Sequence, residues 1–147
     1  MIMTILRSIL AVVVGIIVMF IVIMGMQFIS IAMHPMPDGV RMDDKLAITA
    51  WMATLPTSAL AIVLTAYVVG SFAGGGVSAL IAACCRIIHA GIIGALVVLA
   101  AIMNFRQYPG VHPDWMVMAT YALPVPVSLF AGWLVATTRP APKLERS

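Results

Sequence analysis

Four long apolar runs divide this chain, and the charges, aspartates and most prolines collect in the breaks between them. A helix needs about 20 apolar residues to cross the hydrocarbon of a bilayer. The pattern therefore predicts membrane spans over about 9–31, 59–83, 87–105 and 115–137. The polar breaks become outer loops at 34–56 and 106–114, and 138–147 becomes a short basic tail. Ser30-Ile31-Ala32 resembles a signal-peptidase site, but the run from Ile9 to Met33 is much longer than the 7–15 apolar residues of a secretory leader. It is read as a first span, with Ala11 and Gly15 giving it a small-residue face.

The second span carries the most distinctive periodicity. Every fourth residue through Ala66, Gly70, Gly74, Ser78 and Ala82 is small. Positions four apart stack on one helix face, so this is a smooth groove flanked by Tyr67, Val68, Phe72, Val77 and Leu80. In lipid such a groove lets a second backbone approach closely, where apolar burial alone gives no drive. A loop at Gly74-Gly75-Gly76 would instead place Arg86 inside the bilayer, at a cost of about 2.5–3.5 kcal/mol on the mildest scale. The turn is therefore expected at Cys84-Cys85-Arg86. The third span has its own small face at Ala90 and Gly94, beside Gly91 and Ala95, and is expected to pack closely against the second.

Between spans one and two, Asp43 and Asp44 suit the start of a helix, and Lys45 to Leu55 reads as a short interfacial helix with Trp51 at headgroup depth. Asp114 is the expected N-cap of the fourth span and Trp115 its anchor. Pro124 and Pro126 predict a kink near its middle.

Composition agrees with this pattern. Of 147 residues 63% are hydrophobic and 9% charged, against about 25% charged in ordinary soluble domains. Nucleic-acid binding has no support, because there is no basic stripe with interleaved aromatics. Lysine and arginine fix an orientation: five fall on the side of both termini and three on the other, so both termini are expected in the cytoplasm of a bacterium bounded by an inner membrane. The two cysteines, Cys84 and Cys85, are adjacent and form no CxxC, which removes a thiol-oxidoreductase reading. Lipidation or a reactive thiol is the functional alternative to two small residues at a helix end.

No Asp, Glu, Lys or Arg falls well inside a predicted span, whereas ion-coupled transporters place an ionisable group at membrane depth. Catalytic patterns are also missing: no nucleophile elbow, no HExxH and no paired carboxylates in an apolar setting. No enzyme activity and no cofactor is expected. Arg7, Arg86 and His89 could hold lipid phosphates, although such residues commonly only set topology. His34, Asp38, His112 and Asp114 share the outer loops and are the metal candidates, with methionines such as Met33 and Met36 nearby suiting copper.

At Pro35-x-Pro37-x-Gly39, Asp43-Asp44, Trp51 and Gly70-Ser71-Phe72-x-Gly74-Gly75 the chain resembles a group of small bacterial four-span inner-membrane proteins. In those, a proline-rich outer loop precedes a GxFxGG-type helix. The resemblance covers roughly residues 30–85 and implies an architecture, with no activity attached.

The expected molecule is thus an all-α membrane protein: a four-transmembrane-helix bundle with a short external interfacial helix, in one domain. Its expected role is that of a structural or interaction component, a homo-oligomer or a subunit of a larger membrane complex. Its partners would be the lipid bilayer and either a second copy or another membrane protein. The rival is a carrier or channel for a small neutral or hydrophobic solute, which would need a polar path through Thr65, Tyr67, Ser71, Ser78, Tyr121 and Ser128. If another span of the same chain fills the groove on span two, the assembly argument weakens, because one face cannot be used twice.

Overall fold

The computed structural model describes residues 2–41 and 43–139; most of the predicted tail lies outside them. The chain runs α1 (Ile2–Met33), α2 (Lys45–Ala53), α3 (Thr57–Ile81), α4 (Arg86–Gln107), α5 (Asp114–Ala122) and α6 (Pro124–Thr138). Helices α1, α3 and α4 are each long and apolar enough to cross a membrane, and so is the unit formed by α5 and α6. The all-helical, four-span bundle forms as expected.

α1 begins at Ile2, well before the predicted edge at residue 9. At about 1.5 Å per residue its 32 residues extend roughly 48 Å, beyond a hydrocarbon layer of about 30 Å. The charge that suggested a boundary, Arg7, is accommodated instead: its Nη2 donates to the carbonyl of Ile81 at 3.2 Å. That carbonyl lies in the last turn of α3, where carbonyls lack helical partners and cations are favoured.

The chain between α3 and α4 turns sharply. Cys85 adopts the left-handed conformation (φ 51°), and Arg86 opens α4. Arg86 Nη1 then donates to carbonyls at the end of α6, Val135 at 3.5 Å and Arg139. Arg7 and Arg86 therefore act alike at one end of the bundle, the arginine end. The 34–44 and 108–113 connections lie at the other, the loop end.

The small face of α3 is buried from Ala66 through Gly70, Gly74 and Ser78 to Ala82. Its principal partner is α1, where the sequence suggested α4. A Cβ on Gly70 would fall 2.6 Å from Ile23 Cγ1, and one on Gly74 2.7 Å from the Gly15 carbonyl oxygen. The small face of α4 is likewise taken by α6. A Cβ on Gly94 would lie 2.8 Å from the Pro124 carbonyl oxygen, and one on Gly132 2.6 Å from Ala90 Cβ. α3 and α4 do touch, with Ile93 reaching the Gly74 position, but neither small face is spent on the other.

A two-part plan emerges. α1 pairs with α3 and α4 pairs with α6, and these are the two most extensive helix pairings. Each opens with the same spacing, Arg7-x3-Ala11-x3-Gly15 and Arg86-x3-Ala90-x3-Gly94. In each, the arginine reaches the last turn of the second helix and the glycine admits that helix's backbone. In each, a His-Pro pair follows near the loop end, His34-Pro35 and His112-Pro113. The two hairpins run in the same direction, because both first helices begin at the arginine end.

Caps and prolines settle the remaining boundaries. Asp44 caps α2, accepting from the amides of Leu46 at 3.1 Å and Ala47 at 3.0 Å. Asp114 does not cap α5: Pro113 occupies the N-cap and Asp114 sits in the first turn, where a carboxylate suits the helix dipole. The expected mid-span kink is a break at Leu123, after which Pro124 starts α6 in the position where a missing amide costs least.

Candidate functional site

A cavity of about 240 Å³ opens at the loop end, between the two hairpins. From the first hairpin come Gln27, Ser30 and Ile31 of α1, His34 just beyond it, and Leu60, Val63 and Tyr67 of α3. From the second come Asn104 at the end of α4, Tyr108 and His112 of the connection, and Met116 of α5. Helix α2 contributes Ile48, Trp51 and Met52.

Two contacts border this vestibule. Lys45 at the start of α2 places its Nζ 5.9 Å from the centre of the Tyr108 ring, tying α2 to the second hairpin. His34 Nε2 and Ser58 Oγ are 3.4 Å apart, tying the end of α1 to the start of α3.

The imidazoles are the reactive part of the lining. The Nδ1 atoms of His34 and His112 are both buried; that of His34 has no hydrogen-bond partner among the described residues, and the His112 ring lies against the Tyr108 backbone. The His112 ring packs against Phe105 at a tilt of 44°, with centroids 4.4 Å apart. Burial pushes the His112 imidazole below its ordinary pKa of 6.5, and a backbone interaction at Tyr108 opposes that only in part. His112 is thereby favoured as a neutral ring, able to donate or accept according to its tautomer.

The metal candidates separate. His34 and His112 meet in the vestibule, but Asp38 and Asp114 are exposed and do not line it. Among the described residues no group of three His, Cys, Asp or Glu side chains gathers around one point. The soft atoms within reach are the thioethers of Met36, Met52 and Met116; Met33 is exposed and outside the lining.

A polar path through the bundle does not form from the six hydroxyl residues. Thr65 and Tyr121 are exposed on the outside of the helices. Ser71 donates back to Tyr67 and Ser128 to Val125, so both hydroxyls are spent on their own helices. Ser78 is buried behind Gly15. Only Tyr67 reaches the vestibule.

At the arginine end, Cys84 and Cys85 are free and exposed beside a shallow groove containing Arg86. A hydrogen bond with Cys85 raises the Cys84 thiol above its ordinary pKa, so it is no activated nucleophile. Arg7 and Arg86 hold helix-end carbonyls. His89 is buried, its ring nitrogen 3.1 Å from the Cys85 carbonyl.

The sequence drew attention to the two histidines, and to Gln27 and Ser30 as the hydrogen-bonding side chains at the far end of the first span, but not to Asn104, to Tyr108 as a lining residue or to the roof formed by α2. The recurring Arg-x3-Ala-x3-Gly and His-Pro signals could have found the pairing, since they place equivalent residues at the same depth of two hairpins. No protein-family model, curated protein or solved structure matches the chain.

Proposed function

We propose that this is a multi-pass protein of a bacterial inner membrane, with both termini in the cytoplasm, that binds a small neutral or hydrophobic solute from the outer side. The observation that carries this reading is the vestibule itself, a cavity between the two hairpins whose apolar lining is interrupted by a few polar side chains from both, His34 and His112 among them. Concave, mostly apolar sites with a few convergent polar groups are the usual form of small-molecule sites. The cavity lies between the two hairpins at the loop end, where both contribute side chains to it.

A second reading keeps a structural role, as an oligomer or a subunit of a membrane complex. The glycine groove no longer motivates it, because α1 occupies that face. Apolar surface for a protein partner remains on the outer side of α1, where Phe20, Ile21 and Phe28 are all more than 60% exposed, and on α4 and α5 at Ile88, Met103 and Met118. Lipid alone satisfies such a surface, so the vestibule is the better guide.

Native mass spectrometry of the detergent-extracted protein separates the two. A monomer that retains a small molecule, lost when Val63→Trp fills the cavity, supports the solute-binding reading. A defined oligomer with no retained molecule, unaffected by that substitution, overturns it in favour of assembly.

A further inference from the structure

We propose that the vestibule takes a flat, neutral ring with an oxygen at each of two ends, the chemistry of a quinone or quinol headgroup. This rests on the vestibule being a solute site and names the class of solute.

Each hairpin contributes one amide and one imidazole to the lining, beside the hydroxyls of Ser30, Tyr67 and Tyr108. The first hairpin supplies the amide of Gln27 and the imidazole of His34, seven residues apart. The second supplies the amide of Asn104 and the imidazole of His112, eight residues apart. Because all four line the one cavity, a ligand between the hairpins meets an amide and an imidazole from each. A ring with hydrogen-bonding oxygens at opposite ends matches that arrangement; a ligand with one polar head leaves one set unused.

Charge narrows the class further. No Asp, Glu, Lys or Arg lines the cavity, so an ionised ligand would enter without compensation. Amide groups both donate and accept, and a neutral imidazole does either by tautomer. The same four side chains therefore serve the carbonyls of a quinone and the hydroxyls of a quinol. Trp51, Tyr67 and Tyr108 give ring faces, and Met52 and Met116 give adaptable thioether contacts. About 240 Å³ is the scale of one substituted ring and far exceeds a bare ion. Two imidazoles with no third His, Cys, Asp or Glu beside them also fit a metal poorly.

The test uses the full chain in detergent, with decylubiquinone, decylubiquinol, decylbenzene and Cu(I) as probes. Saturable quenching of Trp51 reports occupancy, identified by its loss in Trp51→Phe. Both decylubiquinone and decylubiquinol are expected to bind, and decylbenzene to compete at least tenfold more weakly. Gln27→Leu and Asn104→Leu should each weaken quinone binding about five- to tenfold, the loss of one hydrogen bond, while the thermal transition stays in place. Equal competition by decylbenzene, or unchanged affinity in both variants, overturns the two-ended assignment but leaves the solute site standing. Absence of any saturable occupancy overturns both. Cu(I) binding that needs both histidines, without quinone binding, replaces the ring with a soft metal and also overturns the proposal.

Discussion

The carbonyl oxygen of Gly15 and the Cα of Gly74 are so close that a methyl group on Gly74 would lie 2.7 Å from that oxygen. Real Cβ atoms do not approach oxygen this closely, so the α1–α3 interface is set by backbone meeting backbone.

Gly74→Ala should therefore destabilise the bundle by about 1–3 kcal/mol, the ordinary range for overpacking. Gly76 supplies the control, because a Cβ there meets Ala131 Cβ at an ordinary 3.8 Å. Gly76→Ala should be neutral or stabilising by about 0.5–1 kcal/mol, since it removes the entropic cost of glycine in a helix. Thermal unfolding in one detergent compares the two. Equal transitions would mean that the close approach does not exist.

Arg7→Met should cost about 1 kcal/mol through loss of the bond to Ile81, and Arg86→Met at least as much through Val135 and Arg139. Arg7→Lys should recover part of the loss, as a cation remains at the end of α3. Hydrogen exchange confined to the last turns of α3 and α6 is the sensitive readout. If those turns exchange at wild-type rates in the Met variants, the arginines only mark topology.

Stability should depend on pH through His112. Its folded pKa lies below the ordinary 6.5, so the unfolded chain binds the proton more readily. The contribution is fully present above about pH 6.5 and is lost as pH falls through that value towards the folded pKa. The melting temperature should drop on acidification across this window, and His112→Gln should flatten the slope. A profile with the same slope in the variant would assign the effect to another group.

Cys84 and Cys85 are the only cysteines in the chain, and both are exposed at the arginine end. An impermeant maleimide should label them only after the cell membrane is opened, if that end faces the cytoplasm. Because the Cys84 pKa is raised, labelling should quicken as pH rises towards 9. Labelling of intact cells would invert the proposed topology.

The spans were legible because membrane hydropathy is a coarse, length-limited signal. What hydropathy could not convey was pairing. The groove from Ala66 to Ala82 marked a face for a close neighbour, but nothing within it distinguished Gly15 from Gly94 as the partner. Helix α1 extends beyond the span read from the sequence, because Arg7 is accommodated within it by its bond to the Ile81 carbonyl. Asp114 had the right residue type for a cap, and Pro113 took the position by fixing its backbone in an extended conformation. The histidines were visible as residue types; their meeting depended on two loops folding to the same end.

The two-part plan has a consequence for how such a pocket can change. A site between identical subunits must accept every substitution twice, once on each wall. Here both walls belong to one chain, and they differ: α2 and Trp51 lie in the first hairpin, while Phe105 backs His112 in the second. The molecule has the geometry of a dimer and the freedom of a monomer, so a substitution on one wall leaves the other as it was.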